Sequence, residues 1–335
     1  MSRVICIGST SKDIFFPTDE GVILETPEDL RSQTKVAFEL GGKFRTKDRH
    51  EAVGGVAANV AQGLVRLGIP AECYSKIGHD EIGSWIQKEL THNEVDTRLL
   101  AIDPQVKSDL SAIIVIEQTG DRIIFHNRDA NEKLEIEEEK LRGAEWFYIS
   151  ALNGPWEENL KKILQIARKE RVKIALNPGQ HNLKGNPRLM AQILRDVEVL
   201  LLNKDEAIEL LMAVHPELSP KELNDEKSLL KTLHQEGVPM IGLTDGKRGG
   251  WVSDGKQVYH AEIYEPHGLV DTTGAGDAFG SGFFSAYLHR FSLDRILQHA
   301  ISNAGSVVGY YGASKGLLTP HEIEVSLKNI PVISQ

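Results

Sequence analysis

The sequence predicts an α/β fold, in which a parallel sheet is covered on both faces by helices and carries a small β insertion. Short apolar runs, typical of buried strands, alternate along the chain with segments of helical periodicity. Such alternation is characteristic of a parallel sheet between two helical layers. Two stretches interrupt the alternation, and one of them is dense in β-branched residues, which indicates additional strands outside the main sheet.

The elements of the main sheet follow from these patterns in chain order. Strands are predicted at the short apolar runs 4–7, 71–77, 146–149, 172–176, 197–202 and 240–244. Helices are predicted where apolar residues recur every three or four positions, or where Ala, Gly and Ser allow close packing: 56–67, 158–169, 222–235, 275–290 and 293–311.

The interrupting stretches are residues 14–50, which are polar with scattered aromatic side chains, and residues 95–128. Within the second, runs 111–117 and 122–125 flank the turn Gln118-Thr119-Gly120-Asp121, which predicts a hairpin. We expect the two stretches to form a β sub-domain inserted in the α/β core, and long surface loops are the alternative. Since no repeat or low-complexity linker divides the chain, residues 1–335 are expected to form a single domain.

Composition excludes several classes of protein. The net charge is −10, which argues against a protein that coats nucleic acid or an anionic membrane. Two cysteines, Cys6 and Cys73, cannot form a disulfide framework and favour a reducing, cytoplasmic location. No apolar run approaches the 18 residues or so of a membrane span. From this and from the negative net charge we expect neither a membrane nor a nucleic-acid partner.

The clearest chemical signal is the segment 270–280. Gly274 and Gly276 bring backbone N–H groups together just before a helix, and this arrangement binds anions. Asp277 would oppose an anion bound there, so a functional role is expected, namely accepting a proton from an attacking hydroxyl group in phosphoryl transfer. The alternative is that Asp277 only caps the helix.

Asn59 and Glu206 also allow two interpretations each. Asn59 lies one turn into a helix among small apolar residues, where its amide either ties down the preceding loop or hydrogen-bonds a ligand. Asn203 and Glu206 share a face at a helix N-terminus. The carboxylate there either caps the helix or holds a hydrated Mg²⁺ ion. The simplest interpretation of the glycine-rich segment 243–250 is a hairpin turn, and the segment is not a Walker A loop.

The segments that contain Asn59, Asn203, Thr244 and Asp277, in this order along the chain, resemble the motifs of the ribokinase-like sugar kinases, the PfkB family. Residues 54–68 and 271–277 resemble the two signatures of that family. Asn203-x-x-Glu206 resembles its N-x-x-E motif, and Thr244-x-Gly246 resembles its nucleotide loop. The resemblance implies a Rossmann-like α/β/α sandwich with a mostly parallel central sheet and a small inserted β-sheet lid.

The resemblance also implies a role for each matching residue. Asp277 would be the general base, and the anion hole would be formed by Gly274, Ala275 and Gly276. The implied nucleotide contacts are Asn203, Thr244, Gly246 and Asn303. The implied acceptor contacts are Asp13, Gly54, Gly55, Asn59 and Asn153, the last of which falls where some relatives carry a sugar-contacting Glu. Glu206 would hold Mg²⁺ through water, and Asp271 and Thr273 match part of a site for a monovalent cation such as K⁺.

The expected function is ATP-dependent phosphorylation of a hydroxyl group on a sugar or similar polyol. A nucleoside kinase of the same fold is the alternative within this class, with Phe15, Phe16 and Phe44 available to contact a base. A catalytically silent ligand-binding or regulatory protein is the alternative from another class, and the presence of both Asp277 and the anion-hole glycines weighs against it. Because exposed edges of a lid sheet are usually covered, the sequence also predicts a homodimer that pairs through the lid.

Overall fold

A computed structural model describes residues 3–28, 34–118 and 121–335. Its strands are β1 (Val4–Ile7), β2 (Ser11–Thr18), β3 (Val22–Glu25), β4 (Thr34–Ala37), β5 (His50–Gly54), β6 (Ala71–Tyr74), β7 (Lys76–Gly78), β8 (Ala101–Asp103), β9 (Leu110–Ile116), β10 (Asp121–Asn127), β11 (Trp146–Ile149), β12 (Lys173–Leu176), β13 (Val199–Asn203), β14 (Met240–Thr244), β15 (Gly250–Ser253), β16 (Val258–Ala261) and β17 (Ile333–Ser334). Its helices are α1 (Val56–Arg66), α2 (Glu81–His92), α3 (Glu138–Leu141), α4 (Trp156–Glu170), α5 (Gln180–Gly185), α6 (Pro187–Ile193), α7 (Lys204–Val214), α8 (Pro220–Leu223), α9 (Glu226–Gln235), α10 (Ala275–Leu288), α11 (Leu293–Val307) and α12 (Pro320–Ser326).

The central sheet has nine strands in the order β17-β16-β15-β14-β13-β12-β11-β1-β6. Every pair from β14 to β6 is parallel, whereas β15, β16 and β17 add to one edge as antiparallel strands. Strands β1, β6 and β11 are buried along their whole length, as expected of strands that are covered on both faces. The predicted α/β fold with a mostly parallel sheet is confirmed.

Two hydrophobic cores lie on opposite faces of this sheet. In β1, Ile5 and Ile7 belong to the core that packs against α4, α7 and α9, whereas Val4 and Cys6 belong to the core that packs against α1, α10 and α11. The alternation follows from the period of two in a β-strand. The architecture is therefore the α/β/α sandwich that the resemblance implied. No helix in residues 3–28, 34–118 and 121–335 is long and apolar enough to cross a membrane.

Some predicted boundaries differ from the structure. The run 71–77 is two strands, because β7 leaves the central sheet and pairs with β8 instead. The helix predicted at 222–235 is divided, since the Asp225 side chain accepts a hydrogen bond from Ser228 N and so starts α9 afresh. Helix α11 ends at Val307, where the chain turns back and Val308 O accepts hydrogen bonds from the backbone of residues 270 and 271.

The inserted β sheet, here named the lid, has four strands in the order β10-β9-β2-β5. The predicted hairpin is confirmed, because β9 and β10 pair antiparallel, although residues 119 and 120 of its turn lie outside the described residues. The lid begins at Ser11 rather than at 14, and its second part begins at Leu110 rather than at 95. Residues 101–103 pair with β7 and are not part of it. A separate hairpin, β3–β4, also lies within 14–50.

One face of the lid forms a small hydrophobic cluster, separate from the two cores of the central sheet. Phe15, Ile113 and Val115 are fully buried on this inner face and pack against Tyr311. The strand register places Ile124 opposite Ile113 and Arg122 opposite Val115. Since directly opposed residues share a face, the inner face of β10 presents Arg122, Ile124 and His126.

Candidate active site

The loop that opens helix α10 forms a cradle of backbone N–H groups. Gly274, its N-cap, has φ 78°, and a Cβ there would lie 2.2 Å from the Cβ of Ala313. Both the left-handed backbone and the close approach require glycine. A Cβ on Gly276, in contrast, would meet no atom within 4 Å, so this backbone faces open space. The first N–H groups of a helix have no partner within the helix, which suits them to bind an anion. The N–H group of Ala275 donates a long hydrogen bond of 3.3 Å to Thr272 O in the loop before the helix.

Asp277 is the third residue of α10, and its recorded side-chain hydrogen bond in the described part of the chain is not to the backbone of that helix. Its Oδ2 instead accepts a hydrogen bond of 2.7 Å from Asn59 Nδ2. Burial raises the pKa of Asp277 to about 7, the hydrogen bond from Asn59 opposes this rise, and the charge of Asp13 adds to it. This geometry does not support the helix-cap alternative. A carboxyl group that titrates near neutral pH suits a general base.

Asn59 is brought to Asp277 by helix α1, which starts after Gly55. Gly55 has φ 88°, and a Cβ there would lie 2.6 Å from Ser9 O, so the loop from β5 into α1 passes close to residues 9 and 10. The other amide atom of Asn59, Oδ1, is buried and has no hydrogen-bond partner in the described part of the chain. The Asn59 side chain therefore contacts the proposed base directly and, within the described residues, makes no hydrogen bond to the preceding loop.

Asp13 lies on lid strand β2, also close to Asp277. It is buried, and its carboxylate accepts hydrogen bonds from Ser111 and from Ser11 Oγ, the latter at 2.9 Å. Burial raises the pKa of Asp13, and the two serine hydrogen bonds oppose that rise. A Cβ on Gly54 would come within 2.0 Å of Asp13 Oδ2, so this carboxylate occupies the space that a side chain at position 54 would need.

Asn153, the remaining predicted acceptor contact, follows strand β11. Its side chain is buried, and Oδ1 accepts a hydrogen bond of 2.9 Å from Arg128 Nη1. Arg128 is exposed and follows lid strand β10 directly. The lid and the carboxyl end of the central sheet thus meet at this pair.

Asn203 and Glu206 form a capping box at the start of α7. Asn203 Oδ1 accepts from Glu206 N at 2.8 Å, and Glu206 Oε2 accepts from Asn203 N at 3.0 Å. Glu206 therefore caps the helix, as the first of its two interpretations predicts. Burial raises the pKa of Glu206 to about 7, against the effect of the hydrogen bond from Asn203 N. Both side chains also line a cavity of about 150 Å³ that reaches Asp277, so capping does not remove them from the site.

A second, mainly apolar cavity of about 240 Å³ lies beside the first. Thr244 and Gly246 line it on one side, and Thr272, Ala275 and Gly276 line it on the other. Its apolar lining includes Ile263, Leu269, Phe279, Ile301 and Val308. Because the two cavities share Thr244, Gly276 and Phe279, they connect an apolar pocket with the anion cradle and with Asp277.

The structure does not bring Asn303 into either cavity. Its side chain is fully buried, and Nδ2 donates to Ala278 O at 2.9 Å and to Ser281 Oγ at 3.2 Å. Oδ1 accepts from Leu318 N at 3.0 Å. The predicted nucleotide contact by Asn303 is wrong for this geometry, because the protein itself uses the hydrogen bonds of its amide to join α10 to the segment before α12.

Asp271 and Thr273 fasten the loop that precedes the cradle. Asp271 is fully buried, and its Oδ1 accepts from Thr273 N at 3.0 Å and from Thr273 Oγ1 at 2.8 Å. Its Oδ2 accepts from Gly312 N at 3.3 Å. The carboxylate therefore holds the segment 271–274 against the chain around residue 312.

A buried cation near the nucleotide loop was not predicted. Lys204 is largely buried, and its Nζ donates to Glu226 Oε1 at 2.6 Å and to Asn224 O at 3.0 Å. It lies 3.6 Å from Asp245 Oδ2, and Arg248 pairs with the same two carboxylates. Since these residues are far apart in sequence, only the fold assembles them. The network joins the start of α7 to the turn that carries Thr244 and Gly246.

Sequence patterns also gave no indication that Arg122 lies near the site. Its Nη1 donates a hydrogen bond to Thr272 Oγ1 and lies 3.9 Å from Asp271 Oδ1. The lid thereby places a cation beside the loop that forms the cradle. The alternation within 122–125 could have shown which face Arg122 occupies, but not that this face meets residue 272.

Comparison with known proteins identifies the family of this chain. The family described as "pfkB family carbohydrate kinase" matches residues 1–320. A ribokinase from Haemophilus influenzae is 27% identical over 294 residues, which cover 85% of this chain and 90% of that protein. A cytidine kinase from Thermococcus kodakarensis is 28% identical over 262 residues, which cover 77% of this chain and 88% of that protein.

The fold is also similar to a solved structure. A putative ribokinase II from E. coli, solved in complex with ATP and Mg²⁺, superposes with a TM-score of 0.75 at 20% identity and covers 98% of this chain and 100% of that one. The match over residues 1–320 confirms the resemblance that the sequence motifs indicated, and the chain belongs to the pfkB family of carbohydrate kinases.

Proposed function

We propose that this ATP-dependent kinase phosphorylates a hydroxyl group of a sugar or related polyol, with Asp277 as the general base. The observation that carries the proposal is the position of Asp277. It lies between the acceptor residues Asp13 and Asn59 on one side and the N–H cradle of Gly274–Gly276 on the other. Phosphoryl transfer needs an oriented hydroxyl group, a proton acceptor and stabilisation of the transferred charge, and these three regions supply them.

In the proposed reaction, Asp13 and Asn59 orient the acceptor so that one hydroxyl group faces Asp277. The carboxylate of Asp277 takes the hydroxyl proton as that oxygen bonds to the γ-phosphorus of ATP, and the bond to the β-phosphate oxygen breaks to release ADP. The N–H groups of Gly274, Ala275 and Gly276 stabilise the charge of the transferred group. The apolar cavity beside Thr244 and Gly246 accommodates the adenine base and ribose, and closure of the lid excludes competing water.

Mg²⁺ fits the residues on the phosphate side of the site. In the described residues no three or more His, Cys, Asp or Glu side chains cluster in a way that would hold a metal on their own. Mg²⁺ does not need such a cluster, since it typically keeps several waters and binds one or two carboxylates together with substrate phosphates. Glu206 lines the same cavity as Asp277, so its carboxylate would hold hydrated Mg²⁺ there while Asn203 contacts phosphate or water.

Asp271 and Thr273 stay our candidates for a monovalent cation site, and such an ion would lie behind the cradle. The buried carboxylate of Asp271 is the only charge that these two residues contribute. Activity measured in K⁺ and then in tetramethylammonium at equal ionic strength tests this part of the proposal. Equal turnover in the two salts would contradict it.

Burial of one of the three candidate aromatic residues, Phe15, favours a sugar over a nucleoside. Phe15 is fully buried in the lid core, where its ring lies 6.2 Å from that of Tyr311, so it is not free to contact a base. Phe44 packs edge-on against Phe38 at a centroid distance of 5.1 Å. The similarity to a cytidine kinase keeps nucleosides as the second candidate, and both classes belong in the same assay.

We also propose a homodimer that pairs through the lid. Strands β10 and β5 form the two edges of the lid sheet, and exposed apolar side chains surround it: Val22, Leu24, Leu40, Phe44, Ile124 and Phe125. Exposed edges and apolar side chains are usually covered in a native assembly. Light scattering at micromolar concentration should give twice the chain mass of 37.1 kDa, and a monomeric mass would contradict the proposal.

The principal test is a screen of sugars, polyols and nucleosides by thermal shift, with and without Mg-ATP, followed by an assay of ADP release. Ligands that bind the native state raise the melting temperature. At least one sugar should both stabilise the protein and accelerate ADP release. Acceleration by nucleosides alone would favour the second candidate, and binding without turnover would favour the catalytically silent alternative.

A further inference from the structure

We propose that the acceptor carries an anionic group, a carboxylate or a phosphate, which Arg128 binds at the end of the acceptor pocket far from Asp277. The inference rests on the proposed function and specifies the substrate class of that site. It is carried by the position of Arg128, by the charges around it and by what lid closure would do to its guanidinium group.

Lid strand β10 and the residues that follow it carry two arginines that contact different parts of the proposed site. At its start, Arg122 hydrogen-bonds Thr272 in the loop before the cradle, which is the end where the phosphoryl group arrives. At its other end, Arg128 hydrogen-bonds Asn153 after strand β11. Six residues of strand at about 3.3 Å each separate the two backbone positions by about 20 Å. The acceptor therefore lies between an arginine on the phosphoryl side and an arginine on the distal side.

The positive charge of Arg128 has no negative partner in contact. In the parts of the chain that the structure describes, its one hydrogen bond goes to the neutral amide of Asn153, and no carboxylate oxygen lies within 4.0 Å of it. The neighbouring Asp129 is already bound to Lys133 Nζ at 2.8 Å and to Lys107 N at 2.8 Å. By contrast, Arg122 lies 3.9 Å from a buried carboxylate of Asp271.

The two carboxylates of the pocket are also occupied. Asp13 accepts hydrogen bonds from Ser11 and Ser111, and Asp277 accepts one from Asn59. Asp13 is close enough for Arg128 to oppose the rise that burial causes in its pKa, but the two groups do not form a contact ion pair. Because Asp277 must face the reacting hydroxyl group, neither carboxylate is placed to neutralise Arg128 directly.

Lid closure makes this unpaired charge decisive. While the site is open, the exposed guanidinium is solvated by water, and the lack of an ion pair costs little. Closure over a neutral polyol would remove that water and leave a cation paired only with an amide, which is expensive. An anionic group on the acceptor removes the cost, since a guanidinium presents two parallel N–H donors that match a carboxylate or phosphate.

The test compares neutral sugars with anionic derivatives of the same carbon skeleton: ribose with ribonate and ribose 5-phosphate, glucose with gluconate and glucose 6-phosphate, and fructose with fructose 6-phosphate. Specificity, kcat/KM, is measured for each at saturating Mg-ATP, and the product is identified by mass spectrometry. At least one anionic acceptor should exceed its neutral counterpart by about 10-fold or more, as expected for a hydrogen bond to a charged group. Comparison of the carboxylate and phosphate members identifies which anion is recognised.

Arg128→Met should lower kcat/KM for the preferred anionic acceptor by about 10–100-fold. It should hold or raise kcat/KM for neutral sugars, because the cost of desolvating an unpaired guanidinium group is removed with the side chain. Arg128→Lys should retain part of the preference, because the charge stays while the paired donors are lost. Arg188→Met is the matched control, since it removes an exposed arginine from helix α6 away from the site. It should leave the kinetics of all acceptors unchanged.

Two results would overturn the inference: a wild-type preference for neutral acceptors, or an equal loss for neutral and anionic acceptors in Arg128→Met. Acceptor binding measured by calorimetry without nucleotide gives the same comparison independently of turnover. Anion-selective binding that depends on Arg128 but leads to no phosphoryl transfer would contradict the proposed function and support the recognition. Turnover of neutral acceptors alone would support the proposed function and contradict recognition of an anion by Arg128.

Discussion

Asn59 Nδ2 donates a hydrogen bond of 2.7 Å to Asp277 Oδ2, and this contact joins helix α1 to helix α10 across 218 residues of sequence. It links the two segments that carry the family signatures at the point where the acceptor and the phosphoryl group would meet. The amide holds one oxygen of the proposed base in place and leaves the other for a substrate proton. An orienting hydrogen bond of this kind is a common accompaniment of a general base.

Replacement of Asp277 by Asn should lower kcat by at least about 10²-fold, because the proton acceptor is lost while the shape is kept. Affinity for Mg-ATP should hold or improve, since a negative charge near the phosphates is removed. Steady-state kinetics and calorimetry with a non-hydrolysable ATP analogue measure these effects. Asp294→Asn, which removes a first-turn carboxylate from α11, is the control and should leave kcat unchanged. Near-normal turnover in Asp277→Asn would leave the proposed mechanism without its base.

The pH dependence of catalysis should reflect the raised pKa of Asp277. Since the base acts when deprotonated, kcat/KM should rise with pH through about 7, the pKa to which burial raises this group. A pH–rate profile of the wild type with the preferred acceptor measures this. A kcat/KM that does not change between pH 5 and 8 would contradict the assignment of Asp277 as the base.

Protein stability should change with pH in the opposite direction. The folded pKa values of Asp277 and Glu206 lie above those of the unfolded chain, so between about pH 4 and 7 the folded state binds more protons. Their contribution to the free energy of unfolding is therefore largest at low pH and is lost as pH rises towards 7. The melting temperature of Asp277→Asn relative to wild type should increase from pH 5 to pH 8. A constant difference would count against a strongly raised pKa.

Glu206→Gln separates helix capping from metal binding. Loss of the capping carboxylate should cost about 0.5–1 kcal/mol of stability. If Glu206 also holds Mg²⁺, the Mg²⁺ concentration for half-maximal activity should rise and kcat should fall, with acceptor binding nearly unchanged. Glu322→Gln is the matched control, because Thr319 and Glu322 form the same capping box at α12. An unaltered Mg²⁺ dependence in Glu206→Gln would show that capping is its only role.

Lys204→Met tests whether the buried cation positions the nucleotide loop. A lysine at the first residue of a helix is unfavourable beside the positive end of the dipole, and here Glu226 and Asp245 compensate for it. Its removal should raise KM for ATP by about 10-fold, equivalent to 1.4 kcal/mol, and leave KM for the acceptor unchanged. Lys221→Met on helix α8 is the control. A drop in melting temperature with unchanged KM for ATP would show a purely structural role.

The two cradle glycines should respond differently to alanine. Gly274→Ala places a methyl group on a left-handed backbone and too close to Ala313. It should therefore lower the free energy of unfolding by about 1–3 kcal/mol and also lower activity. Gly276→Ala has open space around the added methyl group and should keep the melting temperature of the wild type. It should nevertheless weaken Mg-ATP binding, because the methyl group enters both cavities. Unchanged nucleotide binding in Gly276→Ala would indicate that phosphate binds elsewhere.

The sequence by itself determined the fold class and most of the candidate site. Apolar runs identified strands such as Val4–Ile7 and Met240–Thr244 with their observed bounds, since the part of a strand that is buried on both faces must be apolar. Local motifs identified Gly274 and Asp277 because a cradle at a helix N-terminus is built from consecutive residues. The capping box of Asn203 and Glu206 is local for the same reason.

Only the tertiary structure decided which of these local possibilities are realised. Asn303 carries a suitable amide, but its Nδ2 donates to α10 and its Oδ1 accepts from Leu318 N, so both ends are used within the protein. Lys204 meets Asp245, and Arg128 meets Asn153, through contacts between elements distant in sequence. Charge and hydrogen-bond partners at these positions depend on three-dimensional proximity. Residue type and spacing cannot report that proximity, because the chain brings such groups together only when the sheet and its lid have formed.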